Sequence, residues 1–123
     1  MPYICLDPDS WNQKPLVGSG QCVEFVIAAA KTPASFLWKE GTKVKGDKTI
    51  ARGTAIATFE KGIYPSHSTG NHAAIYLEQD SQGIWVYDQW AAKPDKVVSK
   101  RRIGFRNGVG SASNDGDRFS IIK

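Results

Sequence analysis

Apolar positions along the chain follow two rhythms, three- and four-residue spacing early and alternation later. Val23, Val26, Ile27 and Ala30 recur at helical spacing, which predicts an amphipathic helix over Gln21–Lys31. The turn-rich stretch before it, from Asp7-Pro8-Asp9-Ser10 through Pro15, Gly18 and Gly20, reads as a loop. Thr32-Pro33 stops that helix and predicts a second, shorter one, with Thr32 as N-cap, Pro33 at the first helical position and Gly41 past its end. Beyond the polar run Lys43–Arg52 the period becomes two. Thr54–Phe59, His72–Leu77 and Ile84–Asp88 read as strands, the last two joined by a turn at Gln79–Gly83. Arg101–Arg106 and Phe119–Ile122 read as two more, separated by a Gly/Ser/Asn loop over Asn107–Asp117. Helices first and about five antiparallel strands after them predict an α+β fold. It forms a single domain over residues 1–123, with the helices against one side of a meandering sheet.

Composition narrows the class. The 123 residues include four Trp, four Tyr and five Phe, too many for a disordered chain. No apolar run approaches the roughly 18 residues of a membrane span, so membrane insertion is not expected. Sixteen Lys and Arg against twelve Asp and Glu give a net charge of +4. Part of the excess is clustered at Lys93, Lys96, Lys100, Arg101, Arg102 and Arg106. Such a cluster reads either as a solvated basic edge or as attraction to an anionic polymer, nucleic acid or cell wall. No helix-turn-helix, zinc-finger or RNA-recognition pattern accompanies it, so nucleic acid is not an expected partner. The N-terminus lacks a basic region followed by an apolar one, and the expectation is a protein made in the cytoplasm without a signal peptide. Cys5 and Cys22 are too few for a disulfide scaffold. Cys5, inside the apolar run Tyr3–Leu6, reads as structural.

Three side chains carry candidate chemistry. Cys22 sits in the first turn of the predicted helix, after Gly18-Ser19-Gly20-Gln21. Free backbone N–H groups and the positive end of the macrodipole favour a thiolate there and lower its pKa. The same N–H groups, that of Cys22 included, can stabilise an oxyanion. His72 opens a strand after Gly70-Asn71 and is placed to serve such a cysteine as general base. His67, in the loop Pro65-Ser66-His67-Ser68, is the rival base on a less rigid support. A hairpin closing symmetrically around Asp80 puts Asp88 directly opposite His72, where a carboxylate would orient the imidazole. A one-residue slip would put Gln89 there instead. A zinc site is the competing use of these residues, but no close-spaced ligand pair exists, so neither metal nor cofactor is expected.

These residues fall into a familiar order. Gly20-Gln21-Cys22-Val23-Glu24-Phe25-Val26 is similar to the glycine-glutamine-cysteine helix start of CHAP amidases. Asn71-His72-Ala73-Ala74-Ile75-Tyr76-Leu77 resembles the histidine strand of CHAP and NlpC-type peptidases, and Arg52-Gly53-Thr54-Ala55-Ile56 their glycine-led strand. Trp85-Val86-Tyr87-Asp88-Gln89-Trp90 resembles the CHAP strand that bears the acidic third residue, where NlpC-type enzymes usually carry a histidine or other polar residue. Within that superfamily the chain most resembles the type VI secretion amidase effectors, in the subgroup that cuts the D-alanine–diaminopimelate cross-link of peptidoglycan. The resemblance implies a papain-like fold and a cysteine peptidase mechanism without a cofactor, with Cys22, His72 and Asp88 as catalytic residues. It also implies a peptidoglycan peptide substrate, delivery by the type VI apparatus into the periplasm of a target cell, and a cognate immunity protein. A monomer is expected. Tyr64, Trp85 and Trp90 are candidates to wall the groove. Two alternatives stand beside this reading: a papain-like deamidase or transglutaminase-type toxin acting on a protein, and a non-enzymatic basic module built on Lys93–Arg106.

Overall fold

The stripe of Val23, Val26, Ile27 and Ala30 forms α1, Cys22–Ala30, in the computed structural model, which describes residues 2–67 and 69–123. Phe25 and Val26 are fully buried on its inner side. The helix stops where Lys31 turns left-handed at φ +60° and donates its N–H to the Ile27 carbonyl at 3.0 Å. Pro33 then bars continuation.

The expected second helix does not form. Residues Ser35–Leu37 make a single 3-10 turn, and Glu40–Lys43 make a strand, β1. Trp38 explains the difference: it is 2% exposed, and its indole N–H donates to the Pro33 carbonyl at 2.9 Å. Burying an aromatic of this size is worth roughly 2–3 kcal/mol, more than one short helix offers over a tight turn. Gly41 is no helix stop but a position inside β1, where a Cβ would meet the Ile121 carbonyl oxygen at 2.9 Å.

The remaining strands fall where alternation predicts them: β2 Ala55–Thr58, β3 Ala73–Gln79, β4 Gly83–Asp88, β5 Ser99–Gly104 and β6 Phe119–Ile122. The sheet therefore has six strands rather than about five, in the order β1-β6-β2-β3-β4-β5, all pairs antiparallel. β2 to β5 form the expected meander, and β6 returns to lie between β1 and β2.

Both faces of this sheet are buried. On one, Ala55, Ala73, Ile75, Leu77 and Tyr87 pack with Phe25 and Val26 of α1. On the other, Ile56, Ala74, Tyr76, Val86, Ile103 and Phe119 form a second cluster under the long connections, with Val44 and Phe105. Cys5 is a buried free thiol on the helix side, and its N–H donates to the Gly53 carbonyl at 2.8 Å. Burial pushes that thiol's pKa up, as suits a structural cysteine.

One register differs from expectation. Ile75 pairs with Tyr87 and Tyr76 with Val86, then Glu78 with Trp85, so Leu77 is an extra residue in β3. Continuing the pairing puts Asp88 opposite Ala74, diagonal to His72 rather than directly across from it. Strand side chains repeat every two residues, so a slip of two leaves both on one face. That face is the one turned away from α1.

Candidate active site

The His72 ring projects from the start of β3 and meets Phe119 edge to face, at 6.4 Å between centroids. Thr58, on β2, fixes the backbone behind it. The His72 N–H donates to Thr58 Oγ1 at 3.0 Å, and the Thr58 N–H donates to the His72 carbonyl at 3.0 Å. Asp88 ends β4 with no exposure at all, and its Oδ2 lies 2.8 Å from His72 Nε2. The same oxygen accepts from Arg101 Nε of β5 at 2.6 Å. With Nε2 committed to Asp88, Nδ1 is the nitrogen left for the thiol.

Cys22 arrives from the opposite face of the sheet, as the first residue of α1, which packs on β3. Its loop is tightly built. The Glu24 carboxylate accepts from the Ser19 N–H at 2.9 Å, from the Ser19 hydroxyl, and from the Gln21 N–H at 3.2 Å. These bonds satisfy donors that a helix start otherwise leaves open. Gly18 makes the approach possible: at φ +59° it favours glycine, and a Cβ there would lie 1.8 Å from Glu24 Oε2. Among the described residues the Cys22 N–H itself donates to no protein acceptor.

The Cys22 sulfur lies 3.6 Å from the Tyr64 hydroxyl, which also accepts from Asn71 Nδ2 at 3.2 Å. The Tyr64 ring is held edge to face by Trp38 and Phe59, at 5.0 and 6.5 Å. Burial pushes the Tyr64 hydroxyl's pKa well up, and the neighbouring Cys22 charge adds to this, so it stays a neutral donor.

Protonation favours an ion pair. Burial pushes the Cys22 thiol up, but hydrogen bonding and charge from His72 outweigh it and hold the thiol below its ordinary value of 9.0. Burial pushes His72 down, yet its bonds to Asp88 and Cys22 prevail and raise it to about 9. A thiolate beside an imidazolium is the form of a nucleophilic cysteine ready to react.

Two hollows open at this pair. A larger one, about 630 Å³, is lined by Gln21, Gly70, Asn71, His72, Trp90 and Arg101. A smaller one, about 250 Å³, is lined by Gln21, Cys22, Phe36, Tyr64, His67 and Asn71. Gln21 and Asn71 belong to both, so the two hollows adjoin, one at His72 and the other at Cys22.

The other candidates sort themselves by contact. Gln89 does not touch His72; it is fully buried and clasps the backbone of Val17 and Gln21, and it is Asp88 that meets the imidazole. His67 bonds Glu60 at 2.6 Å and is more than half exposed. Trp90 lines the larger hollow; Trp85 packs against the core, with Lys100 Nζ 5.3 Å from its ring centroid. Among the described residues no cluster of three His, Cys, Asp or Glu side chains could hold a metal. Sequence reasoning missed Asn71 and the contact of Arg101 with Asp88. The only signals were adjacency to His72 for the first and membership of the basic cluster for the second.

Comparison with known proteins places this chain among amidase effectors. A model of the domesticated amidase effector 2 family matches residues 2–122. The chain is 43% identical over 120 residues to a type VI secretion amidase effector 2 protein of Salmonella typhi, covering 94% of this chain and 88% of that one. It is 36% identical over 125 residues to domesticated amidase effector 2 of Ixodes scapularis, covering 97% and 83%. The fold superposes on the solved structure of a type 6 secretion amidase effector 2 with a TM-score of 0.89 and 37% identity, over all of this chain and 95% of that one. The chain belongs to the domesticated amidase effector 2 family.

Proposed function

We propose that this protein is a cysteine amidase that hydrolyses peptide bonds in bacterial peptidoglycan, directed at the D-alanine–diaminopimelate cross-link. The observation that carries the reading is the Cys22–His72–Asp88 array at two adjoining open hollows, in a chain of an amidase effector family. In this reading the Cys22 thiolate attacks the scissile carbonyl carbon, and the developing oxyanion is met by the Cys22 N–H and the Tyr64 hydroxyl. The His72 imidazolium then gives its proton to the departing amine, which leaves an acyl-enzyme and a neutral imidazole. That imidazole takes a proton from water as the water attacks the thioester, and the thiolate leaves. Asp88 holds the ring through Nε2 throughout and stabilises its charged form. Delivery by a type VI apparatus into a target periplasm, and a cognate immunity protein that covers the groove, accompany this function.

Purified peptidoglycan incubated with the protein should yield new muropeptides by mass spectrometry. Folded Cys22→Ala protein should yield none. Undiminished cleavage by that variant, or no cleavage by the native protein beside a one-dalton shift on a protein substrate, overturns the reading.

A further inference from the structure

Arg101 does more than touch Asp88. Its guanidinium has five N–H donors in a rigid fork, and only Nε is engaged by a protein acceptor among the described residues. The fork lies over the Trp90 ring at 5.1 Å, which fixes its plane. Its side chain is 27% exposed and lines the hollow that holds His72.

Arg101 also lines two spaces at once. One is the 630 Å³ hollow that holds His72; the other is an adjoining hollow of about 340 Å³, walled by Arg102 and Arg106. Arg102 is partly compensated by Asp80 at 3.2 Å, whereas Arg106 has no ion-pair partner among the described residues. No Asp or Glu lines either hollow. Arg101 and Arg102 are ion-paired, to Asp88 and Asp80, so the positive charge of Arg106 is the uncompensated one on a wall that carries no acid; such a wall suits an anion, and a planar fork matches a carboxylate two bonds at a time.

We propose that Arg101, backed by Arg106, forms a carboxylate-binding subsite that recognises a free carboxylate of the peptide substrate on the His72 side of the groove. This rests on the peptidoglycan reading, because stem peptides carry free carboxylates beside their amide bonds. The subsite sits one side chain from the chemistry: Arg101 and His72 bond the same oxygen of Asp88, while Asp88 Oδ1 has no protein partner among the described residues. A carboxylate docked on the outer nitrogens would hold the Arg101 fork in the plane that also supports Asp88. Arg101 is thus a binding residue and, through Asp88, a positioning residue for His72.

The test uses two cross-linked muropeptide dimers that differ only in whether their free carboxyls are acids or carboxamides. The native protein should cleave the acid with kcat/KM about 10- to 100-fold higher, the range expected for a charge-assisted bidentate contact. Arg106→Gln should shrink that ratio mainly through KM. Arg101→Gln should abolish the preference and lower kcat as well, with Arg101→Lys restoring part of the KM effect but not the bidentate selectivity. Binding of both dimers to Cys22→Ala, measured by calorimetry, reads the subsite without turnover. A preference for the acid there upholds the subsite even if neither dimer is cleaved, an outcome that would instead remove the hydrolase reading. Equal kcat/KM and equal binding for acid and amide overturn the subsite while leaving hydrolysis intact. Equal handling of the dimers together with tight, salt-sensitive binding of polyphosphate would assign the hollow to a phosphate polymer and overturn it as well.

Discussion

Val17 and Gln89 are joined by a closed clasp: the Val17 N–H donates to Gln89 Oε1 at 2.8 Å, and Gln89 Nε2 donates back to the Val17 carbonyl at 3.0 Å. The same Nε2 donates to the Gln21 carbonyl at 2.8 Å. One fully buried amide thus ties the end of β4 to the loop that delivers Cys22, next door to the residue that holds His72.

Gln89→Ala leaves the Val17 N–H without its partner and takes one of two donors from the carbonyls of Val17 and Gln21, which keep the N–H groups of Gly20 and Glu24. At roughly 1–3 kcal/mol for the one group left unsatisfied, with the two weakened carbonyls adding to it, the expected loss is about 2–3 kcal/mol of stability. Urea denaturation measures it. Gln89→Glu keeps the shape and the acceptor but loses both donors, so it should recover less than half. A loss under about 1 kcal/mol for the alanine variant would show that the clasp is not what secures the loop.

The paired protonation of Cys22 and His72 predicts a basic limit to activity near pH 9, where the imidazolium is lost, and an acid limit below the ordinary thiol value. Stability follows with a definite sign. His72 is raised from 6.5 to about 9, so its contribution is complete below pH 6.5 and fades as pH rises through about 9. Cys22 is lowered from 9.0, so its contribution is complete above that value and fades as pH falls through its depressed value. Removing the thiolate with Cys22→Ala, or the carboxylate with Asp88→Asn, should move the His72 titration downward in NMR. An unmoved titration in both variants contradicts the ion pair.

Tyr64→Phe keeps the ring against Trp38 and Phe59 but removes the hydroxyl beside the sulfur. If that hydroxyl meets the oxyanion, kcat should fall by about 100-fold with stability changed by less than about 1 kcal/mol. Substrate binding to Cys22→Ala/Tyr64→Phe should match that of Cys22→Ala alone. A kcat within threefold of native would remove Tyr64 from the chemistry.

Gly18→Ala combines a left-handed backbone strain with displacement of the Glu24 carboxylate. The expected cost is about 2 kcal/mol, divided between the φ penalty and the lost cap. In a double-mutant cycle, Gly18→Ala and Glu24→Ala should cost less together than the sum of the two, because both remove the same cap. Strict additivity would mean that the two residues act independently.

Much of this architecture is legible in the chain because burial and periodicity coincide. α1 announces itself through Val23, Val26, Ile27 and Ala30, and β3 and β4 through near-continuous apolar runs that both faces of the sheet cover. β1 was hidden because Glu40-Gly41-Thr42-Lys43 has no apolar alternation; backbone pairing to β6 alone makes it a strand. Cys22, His72 and Asp88 stood out because each is a polar residue placed at the edge of an apolar element. They still meet because the turn lies beyond Asp80 and the Leu77 bulge takes one residue back, so the net offset is two, the strand's own period. Tyr64 and Asn71 gave little signal, since their positions depend on the path of the connection between β2 and β3. Arg101 gave the wrong one, looking like a member of a solvated basic run until the sheet brought it to Asp88.

The seating of β6 between β1 and β2 has a consequence for how the protein comes into being. On the ribosome, the segment that joins β1 to the β2–β5 meander is translated after every other described strand, so a nascent chain can assemble its hairpins and still lack a closed interior. Until Phe119–Ile122 emerges, the second apolar layer has no Phe119 for the His72 ring to rest against. Competence of the groove therefore waits on that strand, and a molecule cut short before it should be an inert one.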